Sequence, residues 1–182
     1  MYTSIAVFCG SAYGSDPIYA QHAKDLGALL AVNNITVVYG GGNTGLMGVV
    51  ANAALEHNGK VIGVIPDVLK DRERHHTGIT ELRVVPDMHT RKKIMYELSD
   101  AAIILPGGNG TLDEMFEMIT WNALTIHHKK IILLNTAGYY NNLIAHINVM
   151  QVNGFLHDDW RKMLAIYDTP DAIFGDWAAD KN

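Results

Sequence analysis

Glu114 closes a run in which an apolar stretch, a glycine loop and a helix start follow one another: Ile103-Ile104-Leu105-Pro106-Gly107-Gly108-Asn109-Gly110-Thr111-Leu112-Asp113-Glu114. Backbone N–H groups unhindered by Cβ atoms can close around an anion in such a loop, and the dipole of the following helix favours its negative charge. A carboxylate beside an anion site is electrostatically unfavourable unless it has chemistry to perform. The run therefore points to a nucleotide or sugar-phosphate site with a catalytic carboxylate at its edge. Asp113 and Glu117 crowd the same helix start, where complementarity to the dipole accounts for any one acid. Glu114 is the stronger catalytic candidate because it closes the loop, whereas Asp113 caps the helix or faces solvent.

Met88-His89-Thr90-Arg91-Lys92-Lys93 opens another helix with consecutive cations. A solvated basic face is the ordinary reading of such a run. However, Arg91 and Lys92 stand only about 100° apart on a helix, so both can face one site. Cations at a helix N-terminus are unfavourable unless an anion is near. Arg91 is the stronger candidate, because a guanidinium forks onto phosphate or carboxylate oxygens.

Two more glycine-containing segments follow apolar runs: Cys9-Gly10-Ser11 and Gly40-Gly41-Gly42-Asn43-Thr44-Gly45. In an open parallel sheet, ligands bind at the carboxyl ends of the strands, so these segments and Gly107–Thr111 would share one edge. Each alone could be a tight strand-to-helix turn; together they favour an anion site, and Ser11 and Gly42 join the candidates. The standard dinucleotide fingerprint is absent. The G-G-G-x-x-G run lies in the second unit rather than the first, without an acid at the ribose position. No Gly-Lys-Ser/Thr of a P-loop occurs. His75-His76 and His127-His128 are adjacent pairs that point in different directions on regular structure, with no carboxylate at ligand spacing, so no metal is expected. Trp121 reads as core, as does Cys9.

The elements that would position these residues alternate along the chain. Strands are expected at Ser4–Cys9, Thr36–Tyr39, Lys60–Ile65, Glu81–Val85, Ala101–Leu105, Lys130–Leu134 and Leu164–Tyr167. Helices are expected from Asp16-Pro17 to Val32 and at Leu46–Leu55, His89–Leu98, Thr111–Ile126, Tyr139–Val152 and Pro170–Ala178. Polar Lys70–Thr77 reads as a loop over the site. β-Branched strands without alternation fit a parallel sheet covered on both faces. The expected fold is a doubly wound, Rossmann-like, three-layer α/β/α domain formed by the whole chain.

Composition sets the outer limits. The 182 residues suffice for one domain with a real core. A net charge of −5 argues against a general nucleic-acid binder but not against a small anion held by local cations. The single cysteine, Cys9, excludes an intramolecular disulfide. Met1–Gly10 lacks the pattern of a signal peptide, and no apolar stretch of ~20 residues could span a membrane. A cytoplasmic protein without membrane association is expected.

At these residues the chain resembles the Lonely guy family of cytokinin-activating phosphoribohydrolases. The resemblance covers roughly residues 4 to 156. It rests on Phe8-Cys9-Gly10-Ser11, Tyr39-Gly40-Gly41-Gly42, Gly45-Leu46-Met47-Gly48 and Val61–Pro66. The most specific matches are Met88-His89-Thr90-Arg91-Lys92 and Pro106–Thr111 with Glu114; Ile119-Thr120-Trp121 and Gly138–Asn141 extend them. The resemblance implies a Rossmann-like fold, at least a homodimer, no cofactor, and hydrolysis of N6-modified adenosine 5′-monophosphates to the free base and ribose 5-phosphate. AMP itself is an implied substrate. Matched onto the family motifs, Arg91 and Glu114 are the catalytic pair. Glu73, Lys92, Gly108, Asn109, Gly110, Thr111, Leu112, Asp113 and Thr120 contact substrate beside them, and Ser11, Gly42, Met88 and Gly107 complete the candidate binding set. Asn109 stands where the family commonly has an aromatic residue, Asp113 replaces a glutamate, and Arg74-His75-His76 replaces small residues after Glu73. These departures leave the pair intact and bear on the N6 substituent. Many relatives are called lysine decarboxylases, yet no pyridoxal-phosphate lysine site is visible. Two rival readings stand beside hydrolysis: a nucleotide or cofactor carrier without turnover, and a phosphotransferase. Paired Mg²⁺-binding carboxylates are missing for the latter.

Overall fold

The computed structural model describes residues 2–70 and 74–179. Its strands are β1 (Ser4–Phe8), β2 (Thr36–Tyr39), β3 (Val61–Pro66), β4 (Glu81–Val85), β5 (Ala101–Ile104), β6 (Lys130–Leu134) and β7 (Leu164–Tyr167). Its α-helices are α1 (Pro17–Val32), α2 (Gly45–Glu56), α3 (Met88–Glu97), α4 (Asn109–Ala123), α5 (Asn141–Val152) and α6 (Pro170–Ala179). The strands form one sheet in the order β4-β3-β2-β1-β5-β6-β7, and every pair is parallel. The chain winds outward from β1 to β4, then crosses back to lay β5 on the other side of β1. This doubly wound, Rossmann-like sheet has its switch point between β1 and β5, where a crevice must open at the carboxyl ends.

Both faces of the sheet are covered, which is why its strands lack alternation. Ile5 and Val7 of β1 face α1, α2 and α6 through Leu26, Leu30, Val50 and Ile173. Ala6 and Phe8 face α3, α4 and α5 through Met95, Met115, Met118 and Ile147. Fully burying one such aliphatic side chain stabilises by about 1.5–3 kcal/mol. An aspartate at Ile103, on the central β5 with no exposed surface, would bury an unpaired charge. Trp121 packs on the second layer as expected for a core residue, edge-on to Tyr96.

Element starts follow their caps. Asp16 accepts from the N–H of Ile18 at 3.0 Å, and Pro17 opens α1. Two helices differ from expectation by two residues or more at an end, for local reasons. α4 starts at Asn109 rather than Thr111, because Leu112 N already donates to Gly108 O at 3.1 Å. It stops at Ala123 because Thr125 is left-handed (φ 57°), and Ile126 N turns back to Trp121 O. α5 starts at Asn141 because Thr136–Gly138 forms a separate single turn through a left-handed Ala137. No helix among the described residues is long and apolar enough to cross a membrane.

Candidate active site

A cavity of about 310 Å³ opens at the carboxyl ends of β1 and β5. The loop after β1 is tied to the loop after β5 by Gly10 N donating to Pro106 O at 3.0 Å. β5 then delivers Gly107 and Gly108 to the start of α4. From the opposite side α3 brings Met88 and Arg91. Its start is fixed by Asp87, which accepts from Thr90 N at 2.8 Å; that bond holds the Asp87 carboxyl below its ordinary range.

Arg91 is buried and its fork is held by backbone. Nε donates to Val64 O of β3 at 3.1 Å, and Nη2 to Gly40 O, just beyond β2, at 3.0 Å. A Cβ at Gly40 would lie 2.0 Å from Nη2, so only glycine lets the guanidinium lie flat there. Across the cavity, α4 places Glu114 on the wall, itself buried. Both charges act on Cys9, which lines the same cavity. Burial, reinforced by the Glu114 charge and opposed by Arg91, pushes the Cys9 thiol far above its ordinary range. A thiol held neutral in this way is no nucleophile.

The rim is the N-terminus of α4. α1 and α3 have side-chain caps, whereas no side chain caps α4. Its first N–H groups therefore lack the partner that capping supplies, at an end where the dipole favours an anion. The glycines divide by role. A Cβ at Gly107 would strike Thr111 Oγ1 at 2.2 Å, so that glycine serves packing. A Cβ at Gly108 or Gly110 would meet nothing within 4 Å. Among the described residues nothing requires glycine at those two positions, and they leave room for a group to approach the backbone.

The structure divides the expected site residues. Ser11, Met88, Arg91 and Glu114 line the cavity, as do Gly108, Asn109, Gly110, Thr111 and Asp113. Lys92 does not. Its Nζ pairs with Asp113 at 3.1 Å and Glu117 at 3.0 Å. Burial lowers its pKa, but hydrogen bonds and charge from Glu117 and Asp113 outweigh that and hold the ammonium above its ordinary value. Leu112 packs into the core beneath α4. Thr120 lies in an apolar groove elsewhere, because six residues beyond Glu114 carry it about 240° around the helix. Gly42 is paired with His75 outside the cavity, and Gly107 sits behind the rim. Glu73 lies outside the described residues.

The family model described as a possible lysine decarboxylase matches residues 47–176. Over 154 residues the chain is 47% identical to the cytokinin riboside 5′-monophosphate phosphoribohydrolase of Rhodococcoides fascians, covering 84% of this chain and 78% of that protein. Over 160 residues it is 48% identical to a phosphoribohydrolase of the same name from Arabidopsis thaliana, covering 88% of this chain and 74% of that one. The chain belongs to this family. Among solved structures, the molybdenum cofactor binding protein of Rippkaea orientalis superposes with a TM-score of 0.74 over 100% of this chain and 99% of that one, at 21% identity. That likeness is one of fold.

The family model's description would call for pyridoxal phosphate on a Schiff-base lysine. Among the described residues no lysine lines the cavity, and Lys92 is committed to its two acids, so these residues do not fit that cofactor. Among the described residues no three His, Cys, Asp or Glu side chains gather as metal ligands. Several lining residues were not anticipated, among them Phe8, Cys9, Gly40, Met47 and Leu69. Gly40 had a signal, since it ends a strand within the glycine run. Leu69 had none, because a lone apolar residue before a polar loop has no periodicity to read.

Proposed function

We propose that the chain hydrolyses the N-glycosidic bond of adenosine 5′-monophosphate and its N6-modified forms, releasing the base and ribose 5-phosphate. The observation that carries this reading is a buried Arg91 and a buried Glu114 on one cavity whose rim is an uncapped helix start with two open glycines. The 5′-phosphate seats on the N–H groups at Gly108–Thr111, and this remote binding energy fixes the ribose over the carboxylate. Cleavage builds positive charge on the sugar. Glu114 stabilises that charge and orients or deprotonates the attacking water. Arg91, anchored by two carbonyls, faces ribose or phosphate without having to reorganise. The cavity volume falls in the range of small-ligand sites.

A carrier of the same fold is the alternative. A carrier gains nothing from a carboxylate beside its anion cradle, which places Glu114 against it. Product analysis with AMP, N6-isopentenyl-AMP, GMP and CMP, in excess chelator, tests the reading. Adenine or modified adenine should appear together with ribose 5-phosphate. Adenosine should be cleaved with a kcat/KM lower by about 10²-fold or more, since it lacks the anchor. Equal values for AMP and adenosine would overturn the cradle, and tight AMP binding without any product would establish the carrier.

The protein acts as a homodimer joined through α4. Phe116 and Ile119 of α4 and Leu124 just beyond it line an apolar groove of about 300 Å³ together with Met150 of α5. Phe155 beside it is 79% exposed, and Val152 is 86% exposed. An apolar patch of this kind fits a self-complementary interface. Light scattering at micromolar concentration should give twice the chain mass or a multiple of it; a monomer would refute the contact.

A further inference from the structure

His76 belongs to no part of the mechanism above, yet its ring is buried and both nitrogens are engaged. Nδ1 faces the backbone N–H of Gly78 at 3.0 Å, and Nε2 faces Asn52 Oδ1 of α2 at 3.0 Å. A backbone N–H can only donate, so Nδ1 must carry the lone pair and the proton sits on Nε2. The ring therefore bridges its own segment to α2 in one neutral tautomer.

That segment holds the loop after β2. His76 N donates to Gly41 O and Asn43 N donates to Arg74 O, both at 2.9 Å, with Gly42 opposite His75 between them. The residue before Gly41 is Gly40, whose carbonyl holds Arg91 Nη2 at 3.0 Å. A continuous set of contacts thus runs from the imidazole through two backbone hydrogen bonds to the guanidinium at the cavity.

We propose that the neutral imidazole of His76 is a latch that positions Arg91, and that a proton on Nδ1 releases it. Protonation turns Nδ1 from acceptor to donor against the Gly78 N–H, so two donors face each other. Desolvation alone lowers the pKa of His76. α2 presents neutral Asn52 and, a turn further on, exposed Glu56; the Gly41–Asn43 loop carries no titratable group; and the described residues of His76's own segment carry Lys70, Arg74 and His75. None of these charges contributes to the shift. The sign follows: the folded state refuses a proton that the unfolded state takes near the ordinary imidazole value of about 6.5, so the latch holds above that pH and weakens as pH falls below it.

This inference rests on the hydrolase reading only for its activity readout. The test pairs two measurements on the full chain across pH 5 to 8. In the first, NMR follows the His76 ring and the solvent exchange of the buried Arg91 Nε–H, needing neither substrate nor variant. Protection of that N–H, corrected for intrinsic exchange, should fall as His76 titrates. The second follows base release from AMP. Wild type should lose about 10-fold to 10²-fold in kcat on the acid side, with KM changing less. His76→Asn keeps an oxygen where it can accept the Gly78 N–H but cannot titrate. It should retain most activity at pH 7.5 and lack the acid limb, whereas His76→Leu should be impaired at every pH. Arg91 protection that ignores the His76 titration, or an acid limb unchanged in His76→Asn, would overturn the latch. Absence of base release from any nucleotide would defeat the hydrolase reading and leave the exchange result to decide the latch.

Discussion

Two cation–acid groupings lie side by side between α3 and α4, and they are built in opposite ways. Arg91 and Glu114 line the cavity, and the guanidinium rests on backbone carbonyls from two strands. Lys92, the next residue, turns away and is consumed by Asp113 and Glu117, while Tyr96 donates to Glu117 at 2.7 Å. The second grouping is a strut: its charges are satisfied within the protein. In the first, backbone carbonyls fix two nitrogens of the Arg91 fork beside the cavity that Glu114 also lines. Carbonyl dipoles hold the guanidinium in place without reorganisation, at the cost of burying it. Adjacent cationic residues thus line the cavity in one case and dock two helices in the other.

Breaking each grouping separately should show this. Glu114→Gln and Arg91→Ala should each lower base release by about 10²–10⁴-fold while circular dichroism stays native. Near wild-type turnover in either would end the mechanism. Arg91→Ala should also cost roughly 2–4 kcal/mol in a urea titration, because it strips the Val64 and Gly40 carbonyls of a charged donor. Lys92→Met should reverse the pattern. It should lose about 1–3 kcal/mol of stability but keep turnover within about tenfold. The strut's contribution should be complete below the ordinary ammonium pKa of about 10.4 and fade as pH rises through the raised folded value. A collapse of turnover at unchanged stability would move Lys92 to the anion and erase the distinction. The smallest effect sharpens the rim: Gly110→Ala should leave stability unchanged or raise it by about 0.5–1 kcal/mol, since its Cβ meets open space within a helix. Its KM for AMP should nevertheless rise. Gly107→Ala, whose Cβ would strike Thr111 and the Gly10 backbone, should instead destabilise the protein.

Sequence reading reached the architecture because several signals agree there. Doubly apolar strands, glycine-ended units and capped helices leave few topologies open, and β2, β4, β6 and β7 stand where the pattern places them. The rim was legible too, because a strand, a glycine loop and a helix start are contiguous in the chain. Position around a helix was harder. Thr120 and Lys92 carry the right chemistry, but residues that share a helix share a site only if the packing of that helix turns them the same way. Contributions from distant segments were invisible: Leu69 on the cavity wall, and His76 reaching Asn52 across 24 positions.

The sequence by itself determined the fold class and the glycine-rich edge and marked one cation-bearing and one acid-bearing helix start, because each depends on local propensity and on periodicity, whereas the pairing of Arg91 with Glu114 came only from the family resemblance. Only the tertiary structure decided which cation faces the cavity, which acids neutralise the other, and which glycines keep space open rather than fill it. Those outcomes depend on where strands β2 and β3 end relative to α3, and on carbonyls supplied by residues 27 and 51 positions away from Arg91.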